Sequence, residues 1–146
     1  MKQEIELGAL ELSRALTLMP DETVRAMLKS FSAIEIQIVK EPETGLVMQS
    51  VSDCFQTDFH LGEILVTVAE VVIEGKRGWG MVMGDNGDRA LLAACIEVIL
   101  NGSESSLKDE VHGELLKWLT KSSDLVTEEA RIYSTTQVNF ESMAEE

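Results

Sequence analysis

Few residues in this chain have the types and spacing that chemistry needs. Gly78-Trp79-Gly80-Met81-Val82-Met83-Gly84 sets three glycines close together, the composition of a loop whose backbone N–H groups cradle phosphate. The spacing argues against that chemistry. The third glycine comes one position late for GxGxxG, and no Lys-Ser or Lys-Thr follows as a P-loop requires. The cluster flanks a predicted strand and does not open a helix, so its donors would not converge on one anion. Glycines in tight turns at both ends of an edge strand account for it.

The acidic and nucleophilic residues fare no better. Asp85-Asn86-Gly87-Asp88 begins like a calcium loop but lacks the glycine at the sixth position and the bidentate Glu at the twelfth; a turn feeding a helix N-cap explains it. Glu63 and Glu70 lie seven residues apart on one predicted strand, which puts them on opposite faces and not in an acid/base pair. His60 and His112 have no HExxH context, and Cys54 and Cys95 form no CxxC, so zinc and redox motifs have little support and each thiol reads as a buried apolar side chain. Catalytic, cofactor-binding and metal-binding residues are therefore expected to be none. Lys76-Arg77, the one adjacent basic pair, reads as a solvated turn, with a tether to an acidic surface as the functional alternative. Trp79, at the start of a strand, and the spaced apolar residues Val138, Phe140 and Met143 of a short amphipathic tail (138–146) are the candidate partner interface.

The elements that must position these residues follow from hydrophobic period. Ile5, Ala9, Leu12, Leu16 and Met19 recur at helical spacing, and after Pro20 a second stripe of Val24, Met27, Leu28 and Phe31 follows; the two predict an N-terminal helical hairpin. Alternation then begins at Ile34, Ile36 and Ile38. A turn is expected at Glu41-Pro42-Glu43-Thr44-Gly45, leading into a strand over 46–51. Residues 64–73, interrupted only by Thr67 and Glu70, predict a central strand, and Gly75-Lys76-Arg77-Gly78 a turn into a fourth strand over 79–83. Residues 90–100 are apolar except for Glu97 and predict a central helix, with Asp88 as its cap and Gly102 at its end. Ser106 with Asp109 opens a further helix, and a last one is expected from about Thr127 to Gln137. The expected fold is α+β: helical hairpin, four-stranded antiparallel meander, and C-terminal helices packed on the sheet. One domain over residues 1–146 is expected.

Composition sets the outer limits. The 146 residues carry 26 Asp plus Glu against 12 Lys plus Arg, a formal net charge of −14. Such a chain has no electrostatic basis for wrapping nucleic acid or lying on an anionic membrane. No apolar run approaches a bilayer span of roughly 20 residues, and no signal segment opens the chain, so a cytoplasmic protein is expected.

Four blocks carry a resemblance. Thr44-Gly45-Leu46-Val47, then Phe59-His60-Leu61-Gly62-Glu63-Ile64-Leu65-Val66-Thr67 with Ala69-Glu70-Val71, then Gly78-Trp79-Gly80 with Gly84, and Val138-Asn139-Phe140-Glu141-Ser142-Met143 are similar in order and spacing to PhnG, a small subunit of the bacterial carbon–phosphorus lyase system. Over the first 43 residues only the pattern of helix then strand agrees. The resemblance implies phosphonate utilisation, with PhnH-, PhnI- and PhnJ-like subunits and a PhnL-like protein as partners. It implies an accessory role in replacing the adenine of MgATP by an alkylphosphonate to give α-D-ribose 1-methylphosphonate 5-triphosphate. A PhnJ-like partner then cleaves that product using an iron–sulfur cluster and S-adenosylmethionine. It implies no cofactor of this chain's own and no catalytic residue to carry across. Val68 stands where the family commonly has a basic residue and Asp85-Asn86 where it commonly has Arg-Asp; the loss of two basic positions argues against contact with the triphosphate. Two other classes stay open at this point: a stand-alone enzyme using Glu63, Glu70, Asp85 and Asp88 for metal or acid/base work, and a dimeric ligand-binding module. Whether the isolated chain self-associates also stays open.

Overall fold

The computed structural model describes residues 8–102 and 105–136. The order of elements is α1 (Ala9–Leu18), α2 (Asp21–Ser30), a short 3-10 turn (Phe31–Ala33), β1 (Ile36–Ser52), β2 (Asp58–Ile73), β3 (Lys76–Met83), α3 (Gly87–Leu100) and α4 (Ser106–Ser134). The class is α+β, as expected. The sheet, however, has three antiparallel strands in the order β1-β2-β3, not four.

The missing strand has a physical explanation. Glu41 to Gly45 do not turn the chain back; they continue β1, and the disruption is absorbed as register shifts between Ile38 and Lys40 and between Lys40 and Glu43. Because β1 is an edge strand, Pro42 can sit there without removing a needed ladder hydrogen bond. The first true hairpin turn lies between Ser52 and Asp58. There the Asp53 carboxylate accepts from the N–H groups of Phe55 and Thr57, both at 2.8 Å, and Gln56 takes a φ of 62°. The second turn is tighter than expected: Glu74 and Gly75 both have positive φ, 51° and 77°, the combination that matches strand twist in a two-residue hairpin. Lys76 and Arg77 consequently lie in β3 and not at a hairpin tip.

Helix α3 is the centre of the molecule. It packs on β3 and β2 on one side, and receives α2, α4 and α1 on the other. That double cover explains why it is apolar almost all round: Leu92, Cys95 and Ile96 are fully buried. Its cap is Asn86, not Asp88; the Asn86 side chain accepts from the Arg89 N–H at 3.0 Å. The expected helical hairpin exists as connectivity only. The main contacts of α1 are with α4 and those of α2 with α3, because each apolar stripe finds a larger apolar surface there than on its neighbour. The two C-terminal helices expected from sequence are one 29-residue helix, α4, capped by Ser105, which accepts from the Lys108 N–H at 3.2 Å.

Arg89 ties these helices together. Its guanidinium donates to the Leu16 carbonyl at the end of α1 and to Asp21 in the first turn of α2, the latter at 2.8 Å. Arg89 holds the Asp21 carboxyl below the usual carboxylate range, with the Asn86 amide assisting. Thr67, fully buried in β2, donates to the Gly84 carbonyl at 2.6 Å and accepts from the Asn86 N–H at 3.0 Å. The turn from β3 into α3 is therefore fastened to the central strand.

Candidate functional site

The glycines that resembled a phosphate loop have another task. Gly78 and Gly80 lie inside β3 and face α3, where a β-carbon on Gly78 would land on the Ala94 carbonyl and one on Gly80 on the Ala90 carbonyl. Two residues without side chains thus let the helix backbone rest on the strand. Side chains alternate along a strand, so the residues between and after them, Trp79, Met81 and Met83, project from the opposite face. Among the described residues no helix covers that face.

The open face runs from β3 across β2. Trp79 pairs with Glu70, Met81 with Val68 and Met83 with Val66. Trp79 is 52% exposed, and Met81 and Met83 are exposed as well. Its charged residues are Glu70, paired with Lys40 of β1, and Arg77, two residues before Trp79; Glu70 accepts from Arg77 at 2.7 Å, so the basic residue singled out in the sequence is engaged inside the chain. Trp79 also sits at the sheet edge, where its backbone N–H donates to the Glu97 carboxylate of α3.

Beyond β3 the sheet narrows to two strands. β3 ends at Met83 opposite Val66, whereas β1 and β2 stay paired as far as Ser52 and Asp58. Leu46 pairs with Leu65 and Val47 with Ile64, and a bulge between Gln49 and Ser50 follows. Apolar side chains on this ribbon are conspicuously wet: Leu46 and Leu61 are each 62% exposed and Phe55, at the tip, 84%. A further exposed apolar stripe, Leu125, Val126, Ile132 and Tyr133, lies on the second half of α4.

Catalytic geometry is not assembled by the described residues. Ser50 Oγ and His60 Nδ1 share a hydrogen bond of 2.8 Å across the ribbon, but Asp58 is engaged by Ser52 instead of the imidazole, and the pair stands exposed. Glu63 pairs with Met48 on the ribbon while Glu70 faces the open side with Trp79; Asp85 and Asp88 lie near the start of α3. These four carboxylates do not come together. Among the described residues no three His, Cys, Asp or Glu side chains group as metal ligands would. Cys95 is buried in the core, and that burial raises its thiol to about 11, whereas Cys54 is exposed near the ribbon tip. A cleft of about 290 Å³ between the β2–β3 turn and the end of α3 is lined chiefly by Ile34, Ile73, Val98 and Ile99, with Glu74 and Lys76. Among its described lining residues it lacks the convergent polar groups that fix a small ligand.

Of the four residues proposed from sequence as a partner interface, Trp79 lies on the open face. Val138, Phe140 and Met143 lie outside the described residues. Three of the four blocks that carried the PhnG resemblance lie along β1, β2 and β3 and the turn after it, the fourth being Val138 to Met143, and a comparison with protein families decides the membership. The model of the family described as phosphonate metabolism protein PhnG matches residues 11–145. The chain belongs to the PhnG family. That match covers the whole sheet, α2 to α4, and nearly all of α1, so the open face and the ribbon are parts of the PhnG unit and not additions to it. No curated protein matches the chain. Membership gives this PhnG protein a role in phosphonate metabolism. Among the described residues no helix is long and apolar enough to cross a membrane.

Sequence reasoning missed the ribbon; one signal for it was present, and the strand lengths that define it emerge only in the structure. From Glu41 to Gly75 there is no Lys or Arg, and the third strand is only 8 residues long against 17 and 16 in its neighbours.

Proposed function

We propose that this PhnG chain is an accessory subunit of the carbon–phosphorus lyase system and works in the cytoplasm. With PhnH-, PhnI- and PhnL-like partners it serves the displacement of adenine from MgATP by an alkylphosphonate, giving α-D-ribose 1-methylphosphonate 5-triphosphate. Catalysis belongs to the partners. The later cleavage, with its iron–sulfur cluster and S-adenosylmethionine, belongs to a PhnJ-like subunit. This chain's part is to dock on a larger, more basic PhnI-like subunit and order that subunit's site.

The open apolar face around Trp79 carries this reading. A tryptophan half in water, followed by two exposed methionines on a sheet face that no described helix covers, is the composition of a protein interface before its partner arrives. Charge supports it: ATP and phosphonate are anions, and a chain of net charge −14 repels them unless partners bring the cations.

Co-expression with the PhnI-like subunit encoded beside it, followed by affinity purification, tests the proposal. The two are expected to co-purify, and the lone chain is expected to release no adenine from MgATP. Failure to co-purify, or adenine release by the lone chain, overturns it.

A further inference from the structure

Residues 43–63 are all exposed except Asp53, which is half-buried. No other stretch of β-structure in the described chain is so bare. Beyond the last β3 pairing at Val66 the ribbon has, among the described residues, neither a third strand nor a helix against it, and it extends about 25 Å at the usual rise per strand residue. A lone two-stranded ribbon is marginally stable in water. This one also carries Leu46, Met48, Phe55, Phe59, Leu61 and Leu65, all exposed, so its apolar surface gains much from being covered.

Its charges select the cover. Asp53, Asp58 and Glu63 punctuate the ribbon, and no Lys or Arg occurs anywhere from Glu41 to Gly75. Two copies laid together would place like charges opposite one another, which disfavours a second copy of this chain. The tip is ordered by the Asp53 carboxylate, which accepts from Phe55 and Thr57 at 2.8 Å, so the Phe55 ring is presented on a fixed turn.

We propose that the ribbon, residues 46–65, is a docking arm that inserts into a groove on a partner protein with an apolar floor and a rim of Lys and Arg. The inference rests on the accessory-subunit reading and adds to it the element that reaches the partner. Steering by the acidic rim accelerates encounter, and burial of the apolar residues holds the complex.

The test uses the full chain co-expressed with the PhnI-like subunit. Phe55→Lys and Leu61→Lys are both exposed-site changes that leave the core intact, which circular dichroism of each variant verifies. Each is expected to weaken the complex about tenfold or more, as loss of a buried apolar anchor does. Asp58→Asn with Glu63→Gln is expected to flatten the salt dependence of association. If the unaltered chain does not bind the subunit, the accessory reading fails and the arm with it. If the unaltered chain binds and the Lys variants bind equally well, the arm is overturned while the accessory reading stands. Slow amide exchange over residues 46–65 in the isolated chain also overturns it, since the arm would then be covered by this chain's own tail or by a second copy.

Discussion

The backbone N–H of Trp79 donates to the carboxylate of Glu97. Glu97 is the single polar residue in the apolar run 90–100 of α3, and it reaches around the sheet edge to satisfy a donor that β3 would otherwise leave free. The edge is blunted by this bond, while the indole of the same residue stays open on the sheet face. Glu97→Leu should cost about 1 kcal/mol, the usual net value of such a bond. Amide exchange at Trp79 should accelerate, measured by NMR. Unchanged exchange would mean that the carboxylate is not what protects the strand edge.

Close approach of α3 to β3 depends on two glycines, and substitution separates their role from that of glycines elsewhere. A β-carbon at Gly80 meets the α3 backbone, whereas one at Gly45 meets nothing within 4 Å. Gly80→Ala should destabilise by about 1–3 kcal/mol through overpacking. Gly45→Ala should stay within about 0.5 kcal/mol of the parent. Urea unfolding of the two variants side by side makes the comparison.

Stability should fall in acid for an identifiable reason. Glu114 on α4 is held below its ordinary value of 4.5 first by the hydrogen bond from Lys117, against the opposing effect of burial, with the Trp118 N–H assisting. Asp21 is likewise held below 3.8, chiefly by Arg89. A carboxylate lowered on folding stabilises fully above its unfolded value and loses that contribution as pH falls through the lower folded value. Glu114→Gln should therefore flatten the urea-midpoint curve below about pH 4.5 and change stability at neutral pH by only about 0.5 kcal/mol, since the pair is screened.

The two cysteines should react in sequence. Cys54 is exposed near the ribbon tip, and Cys95 is buried with its thiol raised to about 11. The native chain should titrate one thiol with a disulfide reagent and the denatured chain two, because the thiolate is the reactive form. Two fast thiols in the native state would contradict the placement of Cys95 in the core.

These outcomes depend on features that were unevenly legible in the sequence. Helix α3 was plain, because ten of eleven residues over 90–100 are apolar and only an element covered on both sides tolerates that. The long first strand was not. Pro42 and Gly45 carry turn chemistry, yet at a sheet edge a proline costs no ladder bond and the shifts of register take up the rest. Helix α4 reads in the sequence as two helices, the second from about Thr127, and Ser122-Ser123-Asp124 before it are poor helix formers. In the fold Ser122 is buried, so at that residue tertiary cover outweighs propensity; the exposed turn after it is tied locally, the Thr127 hydroxyl donating back to the Ser123 carbonyl at 2.8 Å. Trp79 was visible as an apolar residue awaiting a partner. Leu46 and Leu65 were not, since an alternating strand reads the same whether or not a third strand arrives to cover it.

The central claim is that this chain works by being covered. Hydrogen–deuterium exchange on the chain alone and in complex with the PhnI-like subunit tests it most directly. The account predicts at least about tenfold slower exchange over residues 46–65 and 79–83 in the complex, with α1 and α2 unchanged. Equal exchange at both surfaces in a verified complex would contradict it.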